Sequence, residues 1–248
     1  MAATLAMPYS RLAVEYDATI GVPFFQQTRN FFERLVRKYG IRFRSAADIG
    51  CGTGLFARYL KLSRGIKVFA VDLSEAMLRI AQRNCCATDV VLLRQDIRRL
   101  RLPQKVDLIT ANFDTLNHIL KEEDLSKTLR AVVENLNPGG HFIFDSITNC
   151  PPLSRGTFVR RFAGNSKSMT QTVHVNPIRN LISIVVSIKS SDQPASIVER
   201  HCERAYTPAE LGKALHAAGL AVRGVHDSQT LAFANGCPGR IVVVAKKK

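Results

Sequence analysis

Residues 46–54, Ala-Ala-Asp-Ile-Gly-Cys-Gly-Thr-Gly, constrain this chain more than any other stretch. A short apolar run reaches an acid, Asp48, turns on Gly50, Gly52 and Gly54, and enters a helix predicted from about Thr53 to Leu62. Glycines at this density allow left-handed dihedrals that a Cβ resists, and they let backbone approach a ligand closely. The helix N-terminus behind them offers free N–H donors. A dinucleotide fingerprint reads G-x-G-x-x-G. Here the spacing is Asp48-x-Gly50-x-Gly52-x-Gly54, tighter and led by a carboxylate.

The strand–helix alternation then continues. Lys67–Val71 is an apolar run suited to a parallel strand buried on both faces, and it ends in Asp72. An acid there, about twenty residues after the glycine turn, is placed to accept ribose hydroxyls. Ser74 and Glu75 open the next helix as N-cap and first-turn acid. Further strands are predicted at Val90–Leu93, followed by Asp96 and Ile97, and at Val106–Asn112, which runs into Phe113-Asp-Thr-Leu-Asn-His118. A helix from about Leu125 to Leu136 should break at Asn137-Pro-Gly-Gly140 before a strand at His141–Asp145. Asp145 then falls at a carboxyl strand end, where open α/β sheets bind ligands. Upstream, residues 9–40 read as a helical arm, with Phe24, Phe25, Phe31, Phe32 and Leu35 at helical spacing.

From Cys150 the rhythm changes. Pro151-Pro152 closes the βα pattern, and period-two segments follow at Met169–Val175, Leu181–Ile188 and Ser196–Tyr206. They predict an antiparallel sheet with a turn at Asn176–Asn180. On an ideal strand His201 and Arg204 face opposite sides, so both reach one pocket only through a bend or bulge. Thr207-Pro-Ala-Glu210 has the form of a capping box, and strands are expected at Ala221–Val225 and Arg240–Ala245.

Asp48–Gly54 and, at this interval, Val71-Asp-Leu-Ser-Glu-Ala-Met-Leu78 closely resemble the first two motifs of the class I S-adenosylmethionine-dependent methyltransferases. The resemblance implies a Rossmann-like α/β fold. Its seven-stranded, mostly parallel sheet has helices on both faces and an antiparallel last strand, and an antiparallel β cap is inserted. Residues 1–40 would be an arm or lid, 41–149 and 207–248 the cofactor-binding core, and 150–206 the cap on the substrate side. The implied cofactor is S-adenosylmethionine, released as S-adenosylhomocysteine. Its contacts would be Asp48, Gly50, Cys51, Gly52, Gly54, Asp72, Leu73 and Met77. Asp96 would meet the adenine amine with Ile97 on the ring, although Asp96 also reads as a turn cap. Asn112, Asp114 and Asn117 complete the implied cofactor set.

The stretch Asn112–His118 resembles amino-sugar and amino-acid N-methyltransferases, and it departs from the Asn/Asp-Pro-Pro-Tyr/Phe motif of adenine methylation. Candidate bases or substrate anchors are His118, Asp145 and His201, with Tyr16 as a lid residue or a packing residue. Arg204 and Tyr206 would line the substrate pocket, unless they face solvent. The expected reaction is in-line methyl transfer to an amine or hydroxyl of a small molecule, with no metal. The alternatives are an RNA or protein methyltransferase, or an inactive cofactor-binding homologue.

The formal net charge of +15 is spread along the chain, without aromatic interleaving, so a nucleic-acid partner is possible but not favoured. No apolar run of roughly 18 residues predicts a membrane span. The six cysteines show no C-x-x-C spacing, and reduced thiols in a cytoplasmic monomer or homodimer are expected.

Overall fold

The computed structural model describes residues 4–6, 8–148, 156–163, 167–190, 193–230 and 239–248. Cys150, Pro151, Pro152 and Cys237 lie outside the described residues. The larger sheet has seven strands: β2 (Ser45–Ile49), β3 (Lys67–Asp72), β4 (Val91–Arg94), β5 (Val106–Ala111), β6 (Leu136–Ile147), β11 (Leu220–Asp227) and β12 (Arg240–Lys247). Their order is β11-β12-β6-β5-β2-β3-β4, and β12 runs antiparallel to both of its neighbours.

Period-two alternation explains how this sheet carries a layer on each face. Ala47, Ile49, Phe69, Val71, Phe142 and Phe144 point to one side. There they meet α5 (Glu122–Asn135) through Leu125 and Leu129, and α6 (Pro208–Ala217) through Leu211 and Leu215. The intervening Ala46, Val68, Ala70 and Ile143 point to the other side. They pack on Phe32 and Leu35 of α2 (Val22–Lys38) and on Phe56, Ala57 and Leu60 of α3 (Leu55–Arg64). Every residue of β2 is buried, as a central parallel strand requires.

The helix ends follow their local chemistry. Ser74 caps α4 (Glu75–Asn84) by accepting the Met77 N–H, and Thr207 and Glu210 form the reciprocal capping box of α6. One boundary departs from expectation. Residues 137–140 do not break helix from strand: α5 ends at Asn135 and β6 begins at once, with Leu136 paired to Val106 before a bulge. Asn135 fastens that junction, accepting the Leu102 N–H (2.7 Å) and donating to the Leu100 carbonyl (2.9 Å).

The second sheet contains β1 (Thr4–Ala6), β7 (Gly156–Ala163), β8 (Lys167–Asn176), β9 (Leu181–Ser190) and β10 (Gln193–Arg204), in the order β1-β10-β9-β8-β7. Strands β7 to β10 are antiparallel, while β1 joins β10 in parallel. Period-two reading found β8, β9 and β10 but neither β7 nor β1. The leader helix α1 (Leu12–Tyr16) and a π-helical turn (Asp17–Gly21) precede α2. Leu12 packs into a core with Met169, Val186 and Ile188, so the leader belongs to the second sheet as much as to the first.

Candidate active site

The carboxyl ends of β2, β3, β4 and β5 open into a cavity of about 1620 Å³. One small-molecule pocket typically measures roughly 300–1,000 Å³. This one therefore has room for a nucleoside-sized ligand and a second reactant.

Its first wall is the glycine turn. Gly50, Gly52 and Gly54 all have positive φ (66°, 53° and 79°), but each has a different neighbour. A Cβ on Gly50 would stand 2.3 Å from Thr115 Oγ1, and one on Gly54 would stand 3.0 Å from the Ala81 side chain. One on Gly52 would meet nothing within 4 Å, so Gly52 presents bare backbone to the cavity. Asp72, at the end of β3, accepts the Gly52 N–H (2.9 Å) with one oxygen and the Ser74 N–H (2.8 Å) with the other. It thus braces the turn against the start of α4, and each oxygen keeps a second lone pair. Burial pushes its carboxyl above the usual range.

Asp48 is buried and accepts from Thr110 Oγ1 (2.7 Å) and Asn112 Nδ2 (3.1 Å), and burial raises its carboxyl to about 7. Cys51 and Met77 line the same wall, and burial pushes the Cys51 thiol up. Leu73 also lines it and is 61% exposed, a bare apolar face at the end of a strand. Asp96 and Ile97 lie on the rim. Asp96 also caps the turn at 97–99 through the Arg98 N–H (3.0 Å) and pairs with that guanidinium, whose hydrogen bond holds the carboxyl low. The turn-cap and cavity-facing readings of Asp96 therefore coexist.

The opposite wall carries Tyr9, Tyr16 and His118. Tyr9 adopts φ +59°, uncommon for a bulky residue, and Glu199 of β10 holds it there. The fully buried Glu199 accepts the N–H groups of Tyr9 (2.8 Å), Arg11 (2.6 Å) and Leu12 (3.0 Å), closing the start of α1. Asp17 latches the leader to the first wall by accepting from Thr53 Oγ1 (2.6 Å) and Asn84 Nδ2 (3.0 Å). Tyr9 Oη lies 2.9 Å from His118 Nε2. Burial pulls the imidazole below its ordinary value and pushes the Tyr9 and Tyr16 phenols up, which favours the neutral form of all three.

Several expected site residues lie elsewhere. Asp145 and Asp114 are not on the large cavity, because both grip Arg240 of β12 (Asp114 Oδ2 at 2.7 Å). Asp145 borders a small neighbouring cavity with Phe24 and Phe113, and burial lifts it to about 6. Asn117 is fully buried and bonds to the Ile147 backbone and to the Arg204 carbonyl, tying β6 to β10. Tyr206 sits in the core with its hydroxyl on the Ile119 carbonyl. Arg204 turns outward to Glu122 (2.7 Å) and Glu210 (3.0 Å). His201 faces inward but lies behind Tyr9, 3.3 Å from Glu199. No bulge separates it from Arg204, so the two face opposite sides.

Sequence reasoning singled out the Tyr16-Asp17 pair as part of a leader lid, but it missed Tyr9, Glu199 and Glu203 around the cavity and Arg240 as the partner of Asp114 and Asp145. For the two glutamates a signal existed: Glu199, His201 and Glu203 alternate through β10, a polar face on a strand that also carries Ile197. Tyr9 and Arg240 have no local signal, because distant elements place them.

Residues 46–140 match the family model described as a methyltransferase domain. A protein of Geobacillus sp. (strain WCH70), named as a methyltransferase, is 32% identical over 142 residues, covering 56% of this chain and 57% of its own length. The dTDP-3-amino-3,6-dideoxy-alpha-D-glucopyranose N,N-dimethyltransferase of Streptomyces fradiae is 32% identical over 106 residues, 43% of this chain and 40% of that protein. Even the longer of these matches spans little more than half of the relative's length. Similarity in structure runs further. The crystal structure of an S-adenosylmethionine-dependent methyltransferase from Clostridium acetobutylicum ATCC 824 superposes with a TM-score of 0.83 at 26% identity, covering 96% of this chain and 98% of that one. Residues 46–140 thus match a methyltransferase domain, and the fold of the whole is similar to that of an S-adenosylmethionine-dependent methyltransferase.

Proposed function

We propose that this chain transfers the methyl group of S-adenosylmethionine to an amine or hydroxyl of a small molecule. The observation that carries the reading is the division of the cavity. Asp48, Gly52, Asp72, Leu73, Asp96 and Ile97 line one wall, and Tyr9, Tyr16 and His118 line the other. The first wall fits the cofactor: bare backbone at Gly52, lone pairs on Asp72 for ribose hydroxyls, and an exposed Leu73 with Ile97 for an adenine ring. Cys51, Gly50 and Met77 support that wall, with Asn112 behind it on Asp48.

When bound, the cofactor supplies a methyl group that is already electrophilic through its sulfonium. The chain's own residues must then hold the acceptor in line and keep water out, and proximity and orientation account for much of such a reaction. The leader, pinned by Glu199 and Asp17, roofs the cavity, which supports a lid role for residues 1–40. Among the described residues of the second sheet, Ile197 lines the cavity and Glu199 holds the leader over it, which supports a substrate-side cap for the 150–206 region. The activity for which the Streptomyces fradiae relative is named, on an amino sugar, supports an amine acceptor. Free thiols at Cys51, Cys85, Cys86 and Cys202 suit a cytoplasmic setting. Among the described residues no helix is long and apolar enough to cross a membrane.

The test is parallel calorimetric titration with S-adenosylmethionine, S-adenosylhomocysteine and NADH, followed by a screen of amino sugars, amines and hydroxy compounds for S-adenosylhomocysteine release. Binding of the first two ligands alone is expected. A folded protein that binds none of the three overturns the proposal.

A further inference from the structure

Behind His118 stands an acid that the cofactor and acceptor walls leave unused. Glu203 follows Glu199 and His201 at alternate positions on one face of β10 and is 5% exposed. Glu199 is committed to the leader, whereas Glu203 is not. Its Oε1 lies 3.8 Å from His118 Nε2, and its Oε2 has no hydrogen-bond partner among the described residues. Of the cations that face it, Arg240 is held by Asp114 and Asp145, and Arg160 is exposed. An unsatisfied buried carboxylate costs stability. That cost makes sense where a proton has to be taken up.

Methyl transfer to a neutral nitrogen or oxygen creates that need. As the new bond to the methyl carbon forms, the carbon–sulfur pair leaves with sulfur, and the acceptor atom is left with one proton too many. We propose that Glu203 is the terminal proton acceptor of a chain, Tyr9–His118–Glu203, that drains this proton from the acceptor atom; the inference rests on the methyl-transfer reading above. Tyr9 Oη takes the proton while its own passes across 2.9 Å to His118 Nε2. The imidazolium so formed attracts the carboxylate, closes the 3.8 Å gap and gives the proton from Nε2 to Oε1. Glu203 ends as a neutral acid and loses its proton to water when the cavity empties. Glu203 acts through His118, and it is a positioning and proton-holding residue.

The electrostatics fit that role. Burial raises Glu203 to about 8, Asp114 and Asp145 push the same way, and Arg240 and Arg160 oppose. Tyr9 and Tyr16 face the same cluster and stay protonated, while the Cys202 thiol beside Glu203 is pushed up by burial. Glu203 is therefore the neutral acid at rest near neutral pH; a positive charge entering the cavity lowers it, so that it gives up that proton and stands in its ionised, accepting form before methyl transfer. His118 is pulled down by burial, Asp114 and the Cys202 backbone oppose, and His201 adds to the fall. It therefore passes a proton on rather than keeping it.

The test is NMR titration of the full chain labelled in its histidine rings, with His118 assigned from a His118→Gln variant. In the wild type the His118 ring should show an inflection with a midpoint near 8, produced by ionisation of Glu203. Glu203→Gln should lose that inflection while keeping its thermal midpoint. Because that variant could misfold, wild-type protein carrying carboxyl-labelled glutamate supplies a second readout: one glutamate should titrate at the same midpoint. An inflection that persists in a folded Glu203→Gln, or no glutamate titrating near that pH, overturns the relay. S-adenosylhomocysteine titration of the same samples separates the two claims. Failure to bind overturns the methyl-transfer reading beneath the proposal, whereas binding without the inflection overturns the relay alone.

Discussion

Alanine at Gly50 and alanine at Gly52 should separate folding from binding, although the two glycines are two residues apart and both have positive φ. At either site the left-handed conformation costs an L-residue about 1–2 kcal/mol. At Gly50 the added Cβ also falls 2.3 Å from Thr115 Oγ1 and 2.5 Å from its Cγ2, inside a buried turn that cannot open freely. Overpacking of that kind adds about 1–3 kcal/mol, for a total of about 2–5 kcal/mol. A chain of this size loses about 2–4 °C of thermal midpoint per kcal/mol, so Gly50→Ala should melt about 4–20 °C lower. At Gly52 the Cβ meets nothing within 4 Å, so only the conformational cost applies, and the melt should fall by about 2–8 °C. The same methyl group protrudes where a ligand must lie against backbone. S-adenosylhomocysteine affinity should therefore drop about tenfold or more, ~1.4 kcal/mol. Scanning calorimetry and isothermal titration read the two effects. Wild-type affinity in Gly52→Ala, or equal melting of the two variants, would refute the assignment of Gly52 to the cavity wall.

Asp48, raised to about 7 by burial, should make stability depend on pH. A carboxyl raised in the folded state contributes fully below its unfolded value, near 4, and the contribution is lost as pH rises through about 7. Asp48→Asn should therefore gain stability over wild type across that window, by at most about 4 kcal/mol, and then level off; a flat difference in denaturant midpoints from pH 4 to 8 would contradict it. Glu199→Ala removes the acceptor of three amides at the start of the leader. Hydrogen exchange at Tyr9, Arg11 and Leu12 should accelerate about tenfold to a hundredfold while the large sheet stays protected, and unchanged protection would mean that other contacts hold the leader. Asn117→Ala leaves buried backbone groups of Ile147 and Arg204 unpaired, costing about 3 kcal/mol. Affinity of the folded protein for S-adenosylhomocysteine should not change, and a large loss would return Asn117 to the cofactor.

The sequence by itself determined the βα core. Apolar runs at 45–49, 67–71 and 106–111, glycines that tolerate positive φ, and caps such as Ser74 and Thr207 act over a few residues, so their consequences are legible locally. One wall of the cavity was legible for the same reason: Asp48, the glycine turn, Asp72, Leu73, Asp96 and Ile97 all lie in or beside strand ends that period and punctuation define. Tertiary structure alone decided the rest of the cavity's surroundings. Asp145 looked free until Arg240, 95 residues later, was folded against it, and Asn117 and Tyr206 looked like pocket residues until β10 and the 115–118 turn buried them. Tyr9 reaches His118 only because Glu199, 190 residues away, holds its backbone in the left-handed region. Side-chain charge and polarity are written along the chain. Whether a polar group meets solvent, a partner or an empty cavity depends on contacts between segments far apart in sequence, and no local pattern encodes these.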